Sequence, residues 1–520
     1  MNCRYIILML IGASFHLNVF AQITPEAIES YLSSEIDAGK KYHTDPISLK
    51  AFYKELNYKT AWIQKENAGN FITFVETLNR AYALALDPND YQFDFIESFK
   101  INTLKVKTVR DSIEADILVS DAAIHFFSDI AFGNTKPGLG YYGIKYLPAC
   151  HDISTILANH IANHALPAMI QNISSKLPEI DALLAKIRWI QAIVRKTDFK
   201  ELTVLPVKTS NSNTPLILKL YQLGVTDSFA LNIPDTTLKQ KIKEAQRQFC
   251  LLADGTLRST FLQELNIPVR SRLKQLTLAV NYYRWLSCLQ QSEPVIVVNI
   301  PAAYLKVYEK DKVILEMRIV VGKKSTPTPT LSSTIDEVIL YPYWHVPAKI
   351  ATKELLPIIK RNPGYLEENN YQVLNKSGNI VDPARIKWRA LSRNYFPYIL
   401  RQSTGCDNSL GLLKLNFYSP FGVYLHDTPL KNYFMLNKRY FSHGCMRMEK
   451  PIELAHMILP NNSIAIDTLT QKGCLLNQSP IIVPADRKTS LVVWYNPVGI
   501  DSNGRILFFE DIYEKFNGMK

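Results

Sequence analysis

Apolar residues recur at spacings of three and four through most of residues 22 to 200, in FITFVETLNRAYALAL, SIEADILVSDAAIHFFSDIAF and DALLAKIRWIQAIV. That period predicts amphipathic helices. Thr24-Pro25-Glu26 before AIESYLSSEI predicts a helix start, with proline inside the first turn. Residues 201 to 270 read as a second unit. There the polar lead-in TSNSNTP precedes three short helical patterns, with Asp254-Gly255 as a turn. A module so small and amphipathic suits binding more than catalysis. VRSRLKQLTLAVNYYRWLSCL then predicts a linking helix over 271–293.

From about residue 294 the period falls from 3.6 to two. VIVVNI, YLKVYE and ILEMRIVVG read as strands, the last two separated by the turn-like EKDK. DEVILYPYWHVP, LGLLKLNFY and GVYLHDT continue the pattern, and TSLVVWYNP and GRILFFEDIYE close it. An insertion over about 350–400, mixing helix and loop, interrupts the strands and suits a lid over a site. The expected fold class is therefore multidomain α+β. A helical domain (22–200) and a three-helix module (201–270) come first, followed by a mainly-β domain (294–520).

Composition narrows the function classes. Hydrophobic residues make up 47% and charged residues 20%, as in a folded globular chain. The net charge of +12 favours anionic partners such as cell-wall polymer, nucleic acid or lipid head groups. It is spread without a block of consecutive Lys/Arg, so no nucleic-acid arm is indicated. The first 21 residues have Arg4, an apolar run from Tyr5 to Leu17 and Ala21 before Gln22. That is the pattern of a cleaved export signal, and the run is short for a membrane span of about 20 residues. No later segment is apolar enough to span, so no stable membrane span is expected in the mature chain.

Six cysteines follow the leader at wide, irregular spacings: Cys150, Cys250, Cys288, Cys406, Cys445 and Cys474. The even count in an exported chain invites disulfides. The absence of CxxC argues against a thiolate zinc site. His160 and His164 share a helix face at a spacing that can bind zinc. Ile161 stands where zinc peptidases carry glutamate, however, and two surface or half-buried histidines are the better reading.

The chemistry concentrates in FSHGCMRMEK, residues 441–450. By itself the stretch leaves Cys445 open as disulfide partner, metal ligand or nucleophile. His426 stands nineteen residues upstream, at the end of a predicted strand. An imidazole there can take the thiol proton and remain as imidazolium beside the thiolate, lowering the cysteine pKa. Backbone N–H groups around Gly444 and Cys445 would receive an oxyanion. Arg447 suits a substrate carboxylate, and His443 suits substrate binding or oxyanion stabilisation. If Cys445 stays a free thiol, five cysteines remain, and at least one other is unpaired.

HDTP followed by SHGCMRM resembles the active-site signature of the L,D-transpeptidases, the YkuD-type catalytic domain. YWHVPAKIATKELLP, RQSTGCDNSLGLLKLNF and PVGIDSNGRILFFEDIY are similar to the large periplasmic, YcbB-like branch. FYKELNYKTAWIQ and VSDAAIHFFSDIAFG resemble its helical scaffold domain. Residues 207–270 resemble a peptidoglycan-binding-like module, although QFCLLADG lacks the glycine such modules often carry before the turn.

The resemblance implies Cys445 as nucleophile and His426 as general base and acid. Gly444 lies at the oxyanion hole, and Ser442, His443 and Arg447 flank it. Trp344 and Tyr424 are aromatic positions near the site. Thr404, Cys406 and Glu449 depart from the usual pattern, where proline is common at the first and asparagine at the last. The implied reaction needs no metal or cofactor and forms 3→3 cross-links between peptidoglycan tetrapeptide stems in the periplasm. Glycan-strand contact falls to the small module, and carbapenems acylate the cysteine. Hydrolysis of the same stems, attachment of a lipoprotein amine and a catalytically silent wall-binding protein are the competing readings.

Overall fold

The computed structural model describes residues 23–37, 42–101, 108–144, 150–206, 213–227, 233–291 and 293–516. The expected export signal, residues 1–21, lies outside them. Among the described residues no helix is long and apolar enough to cross a membrane.

The chain divides into two compact units. One comprises residues up to 131 with 151–174. It is helical: α1 (Pro25–Asp37), α2 (Pro46–Glu55), α3 (Ala68–Asn79), α4 (Phe93–Ile101), α5 (Val109–Phe132), α6 (Ile153–Ala162) and α7 (Met169–Ile173). Pro46 opens α2 behind Asp45, whose carboxylate accepts from the Ile47 and Ser48 amides. The core helix α5 is unusual in burying two carboxylates, Asp116 and Asp121. Both are matched by donors. Asp116 accepts from the Ala61, Trp62 and Ile63 amides and the Tyr53 hydroxyl, and Asp121 from the His43 and Thr44 amides. Burial raises the Asp116 pKa, against the opposing pull of those hydrogen bonds. Two loops are thereby pinned to α5 through their backbone amides.

His160 and His164 do not share a helix face as their spacing predicts, because α6 ends at Ala162. His160 places one ring nitrogen 2.7 Å from the Ile156 carbonyl and the other 2.9 Å from the Asn172 side-chain nitrogen. His164 lies past the helix end with φ +52°.

The second unit comprises 132–150 and the residues from 175 on. It begins with a feature absent from the helical pattern, a short strand β1 (Tyr141–Tyr142) inside the stretch read as helical. The helices α8 (Pro178–Val194), α9 (Thr214–Gln222), α10 (Asp235–Gln248), α11 (Ser259–Leu265) and α12 (Val269–Leu289) follow. α9, α10 and α11 match the three short patterns, and Gly255 turns at φ +78° where Asp-Gly predicts a turn. α12 packs along α8 and is tied by the Cys150–Cys288 disulfide.

The strands come next: β2 (Val295–Asn299), β3 (Tyr304–Glu309), β4 (Lys312–Gly322), β5 (Leu331–Leu340), β6 (Trp344–His345), β7 (Tyr371–Leu374), β8 (Ile380–Val381) and β9 (Ile399–Gln402). They continue with β10 (Leu413–Phe417), β11 (Leu425–His426), β12 (Tyr440–Ser442), β13 (Met446–Met448), β14 (Ile481–Trp494), β15 (Val498–Ile500) and β16 (Ile506–Phe508). Hydrogen bonding runs β5-β10-β11-β13-β4-β3-β2-β14, and β14 returns to β5. These eight strands therefore close on themselves, with β1 added to β5 and β12 to β4. Alternation along β10 sends Leu413, Leu415 and Phe417 inward. They meet Leu425, Met446 and Met448 from the neighbouring strands in the core.

The segment between β6 and β9 is more ordered than a mixture of helix and loop. It carries a four-stranded sheet, β6-β9-β7-β8, helices over 348–361 and 365–368, and its own core of Val346, Leu355, Ile359, Val373, Trp388 and Leu400. The alternation in YQVL and YILRQ was too short to stand out as strand.

Candidate active site

The site is built on the outer face of the closed sheet. β11 runs parallel to β13 with His426 opposite Arg447, and antiparallel to β10 with His426 opposite Lys414. Directly paired residues project to the same face. Lys414, His426 and Arg447 thus form a row across three strands. Tyr424 and Cys445 lie two residues before His426 and Arg447, so they share that face. The Met446 amide donates to the Tyr424 carbonyl, which brings Cys445 and Tyr424 alongside each other. The structure therefore brings His426, Tyr424, Cys445 and Arg447 together on one face and places Lys414 beside them.

His426 is 4% exposed. Its Nδ1 lies 2.5 Å from the Asp427 carbonyl, an acceptor only, so Nδ1 carries the hydrogen and Nε2 keeps a lone pair. Burial lowers its pKa to about 3, and the like charges of Arg447 and Lys414 push the same way. The Asp427 carboxylate accepts from the Leu412 amide and pairs with Lys431.

Cys445 is half-buried and free of disulfides. Burial raises its thiol pKa. Hydrogen bonds from the Tyr424 backbone and hydroxyl, and the charges of Lys414 and Arg447, oppose that rise. Both shifts disfavour a resting imidazolium–thiolate pair, the arrangement the sequence offered for activating the cysteine. The reason is geometric, since the imidazole sits in a dry row between two cations.

The loop before the cysteine also differs from expectation. Ser442 Oγ donates to the Cys445 carbonyl at 2.6 Å and accepts from the Gly444 amide at 3.1 Å. The Gly444 N–H is thus used inside the loop and is not an oxyanion donor. The Cys445 N–H meets no acceptor among the described residues. Thr328 Oγ1 donates to the Gly444 carbonyl at 2.8 Å. Gly444 adopts φ +115°, open to glycine, while a Cβ there would sit 3.5 Å from its nearest neighbours, Pro327 O and Val423 Cγ1. Conformation, not space, demands the glycine. Gly444→Ala is expected to add about 1–3 kcal/mol of backbone strain. Carbapenem acylation of Cys445, followed by intact mass, should slow about tenfold or more. An unchanged rate would show that the loop tolerates another conformation.

His443 points away to the segment between β6 and β9, its Nε2 2.8 Å from a Glu354 carboxylate oxygen in a π-helical turn over Ala351–Leu355. Trp344 hydrogen-bonds the Tyr424 hydroxyl. Arg447 lies over the Tyr433 ring and its Nε is buried without a partner. It lines a cavity of about 450 Å³ with Asp407, Thr428, Leu430 and Cys406. Cys406 is bonded to Cys474, which fixes one wall of that cavity. Glu449 pairs with Arg318 and holds β4 near β13. Of the six cysteines only Cys250 and Cys445 stay free. Among the described residues no cluster of metal-ligating side chains occurs.

Residues 293–466 match the family model of the L,D-transpeptidase catalytic domain, YkuD, and residues 47–186 match that of the Scaffold domain. A Haemophilus influenzae protein named "Putative L,D-transpeptidase" is 38% identical over 218 residues, 42% of this chain and 44% of that protein. The chain matches under half the length of that relative. Among solved structures, an L,D-transpeptidase (Yku) from Stackebrandtia nassauensis is 12% identical, covering 56% of this chain and 98% of its own, at a TM-score of 0.21. An L,D-transpeptidase from Mycobacterium smegmatis is 15% identical over 39% of this chain and 58% of its own, at a TM-score of 0.18. Overlap at that level carries no argument about the site.

Proposed function

We propose that this chain is a peptidoglycan L,D-transpeptidase of the cell envelope, forming 3→3 cross-links through a thioester on Cys445. The observation that carries the reading is the β11–β13 pairing inside the matched catalytic domain. It sets His426, with Nε2 free to accept a proton, on the sheet face that also bears Cys445.

Because both shifts disfavour a resting ion pair, proton transfer and attack go together. Nε2 takes the thiol proton as sulfur bonds to the carbonyl carbon of the third stem residue, and the carbonyl electrons move to oxygen. The Cys445 N–H faces that oxyanion. Collapse breaks the bond to the terminal D-alanine, whose nitrogen takes the proton from His426. A side-chain amine of a second stem then attacks the thioester. It passes its proton to His426 and expels the sulfur, which regains a proton. Arg447 holds a substrate carboxylate in its cavity. The segment between β6 and β9 covers the donor, the module over α9–α11 contacts glycan strands, and the N-terminal leader exports the chain.

Incubation with purified tetrapeptide-rich muropeptides, followed by mass spectrometry, tests this. Dimers cross-linked 3→3 are expected. Tripeptides alone would make the enzyme a carboxypeptidase, and unaltered tetrapeptides would make the chain a wall-binding protein.

A further inference from the structure

Lys414 has no role in the chemistry above, yet its place is specific. Alternation along β10 buries Leu413 and Leu415 in the core and turns Lys414 to the site face, directly opposite His426. Its Nζ lies 4.2 Å from the centroid of the Tyr424 ring, over the ring face. That ring lies beside His426, with centroids 5.6 Å apart, and its hydroxyl is hydrogen-bonded to Cys445. A lysine half-buried for structural reasons alone would pair with a carboxylate. Among the described residues none pairs with it directly. Glu337 on β5 acts at longer range, and one of its oxygens accepts from Asn416 at 2.8 Å.

We propose that Lys414 is an electrostatic positioning residue of this site, its ammonium seated on Tyr424 so as to keep the His426 imidazole in its proton-accepting form and to favour negative charge on the Cys445 sulfur. The proposal rests on the functional reading above and adds a residue to it. One cation acts on two neighbours with opposite results. It keeps the resting imidazole unprotonated and attracts charge to the sulfur, at the cost of a less stable imidazolium once the thiol proton has moved. The Tyr424 ring holds it there through its π face, and the hydroxyl of the same ring touches the sulfur. Burial makes the lysine costly to keep charged, and its pKa is lowered for that reason. A thiolate on Cys445 and the Glu337 carboxylate would oppose the lowering. The other charged or titratable groups around the pair are Arg447 from β13, His345 from β6, and Asp427, which is engaged by Lys431. Arg447 pushes His426 the same way, so removing Lys414 reduces the effect without abolishing it.

The test is carbapenem acylation of Lys414→Met, Lys414→Gln and Lys414→Arg, read by intact mass from acid to alkaline pH, with folding followed by circular dichroism. Loss of the cation should move the acid limb of acylation upward by roughly one pH unit. Acylation at neutral pH should fall about tenfold. Lys414→Arg should restore both. A profile of unchanged shape in folded Lys414→Met or Lys414→Gln, whether slowed or not, overturns the proposal, because a packing role alone would leave the limbs in place. Cys445→Ala separates the two levels of inference. An adduct that persists in it condemns the functional reading itself. A Cys445-dependent adduct with an unshifted Lys414 profile condemns only the role of Lys414.

Discussion

Replacing Cys445 by alanine is expected to abolish both dimer formation from tetrapeptide muropeptides and the carbapenem adduct, with the melting temperature nearly unchanged. The sulfur is the atom that bonds the stem carbonyl, and no neighbour can substitute. Ser442 Oγ is bound between the Cys445 carbonyl and the Gly444 amide, and the other free cysteine, Cys250, follows α10, outside residues 293–466. Fold should survive because the side chain is small and half-buried and bonds to no other cysteine. Intact mass after carbapenem exposure and product mass after muropeptide exposure measure the two losses separately. Any residual adduct on the variant would remove Cys445 from the nucleophile's place.

Replacing His426 by alanine should lower acylation about 10²–10⁴-fold, the usual contribution of a general base. That corresponds to roughly 3–5.5 kcal/mol of barrier. The pH dependence is more diagnostic than the size. An ordinary histidine base would lose activity as pH fell through about 6.5. Here burial and two neighbouring cations hold the folded pKa near 3, so the base stays competent far into acid. The same shift acts on stability. Between about 6.5 and 3 the unfolded imidazole takes a proton that the folded one refuses, so folding free energy is lost as pH falls across that window. An acylation profile with an acid limb at the usual histidine value would contradict this placement. Unchanged acylation in His426→Ala would shift the base to His443, whose Nε2 instead faces Glu354.

Much of this was legible in the pattern of residues. The change of period near residue 294 marks where helices give way to strands, since a 3.6 period and a two-residue period cannot serve the same backbone. Three short helical patterns match α9, α10 and α11, and VIVVNI, YLKVYE and ILEMRIVVG match β2, β3 and β4. Counting cysteines showed that a free Cys445 needs a second unpaired partner, and Cys250 is that residue. Less legible were the short elements. β1 pairs with β5 from far upstream, and two residues carry no periodicity.

Lys414 was missed for a different reason. LLKLNF reads as an ordinary strand with a solvent-facing lysine. Nothing local says that the outward face of this strand is the site face.

By itself, then, the sequence determined which residue types were available and how far apart they stand: a thiol after a glycine, an imidazole nineteen residues before it, an arginine two after. Those are local properties of the chain, carried by its motif and its periods. Only the tertiary structure decided the charge states and the hydrogen bonds. Strand register placed His426 between Lys414 and Arg447, and burial then made the imidazole a neutral base instead of an imidazolium. Loop closure spent the Gly444 amide on Ser442, and chain packing paired Cys406 with Cys474. A pKa or a free N–H depends on which groups are brought near and how much water is removed, and both are set by contacts between residues distant in the chain.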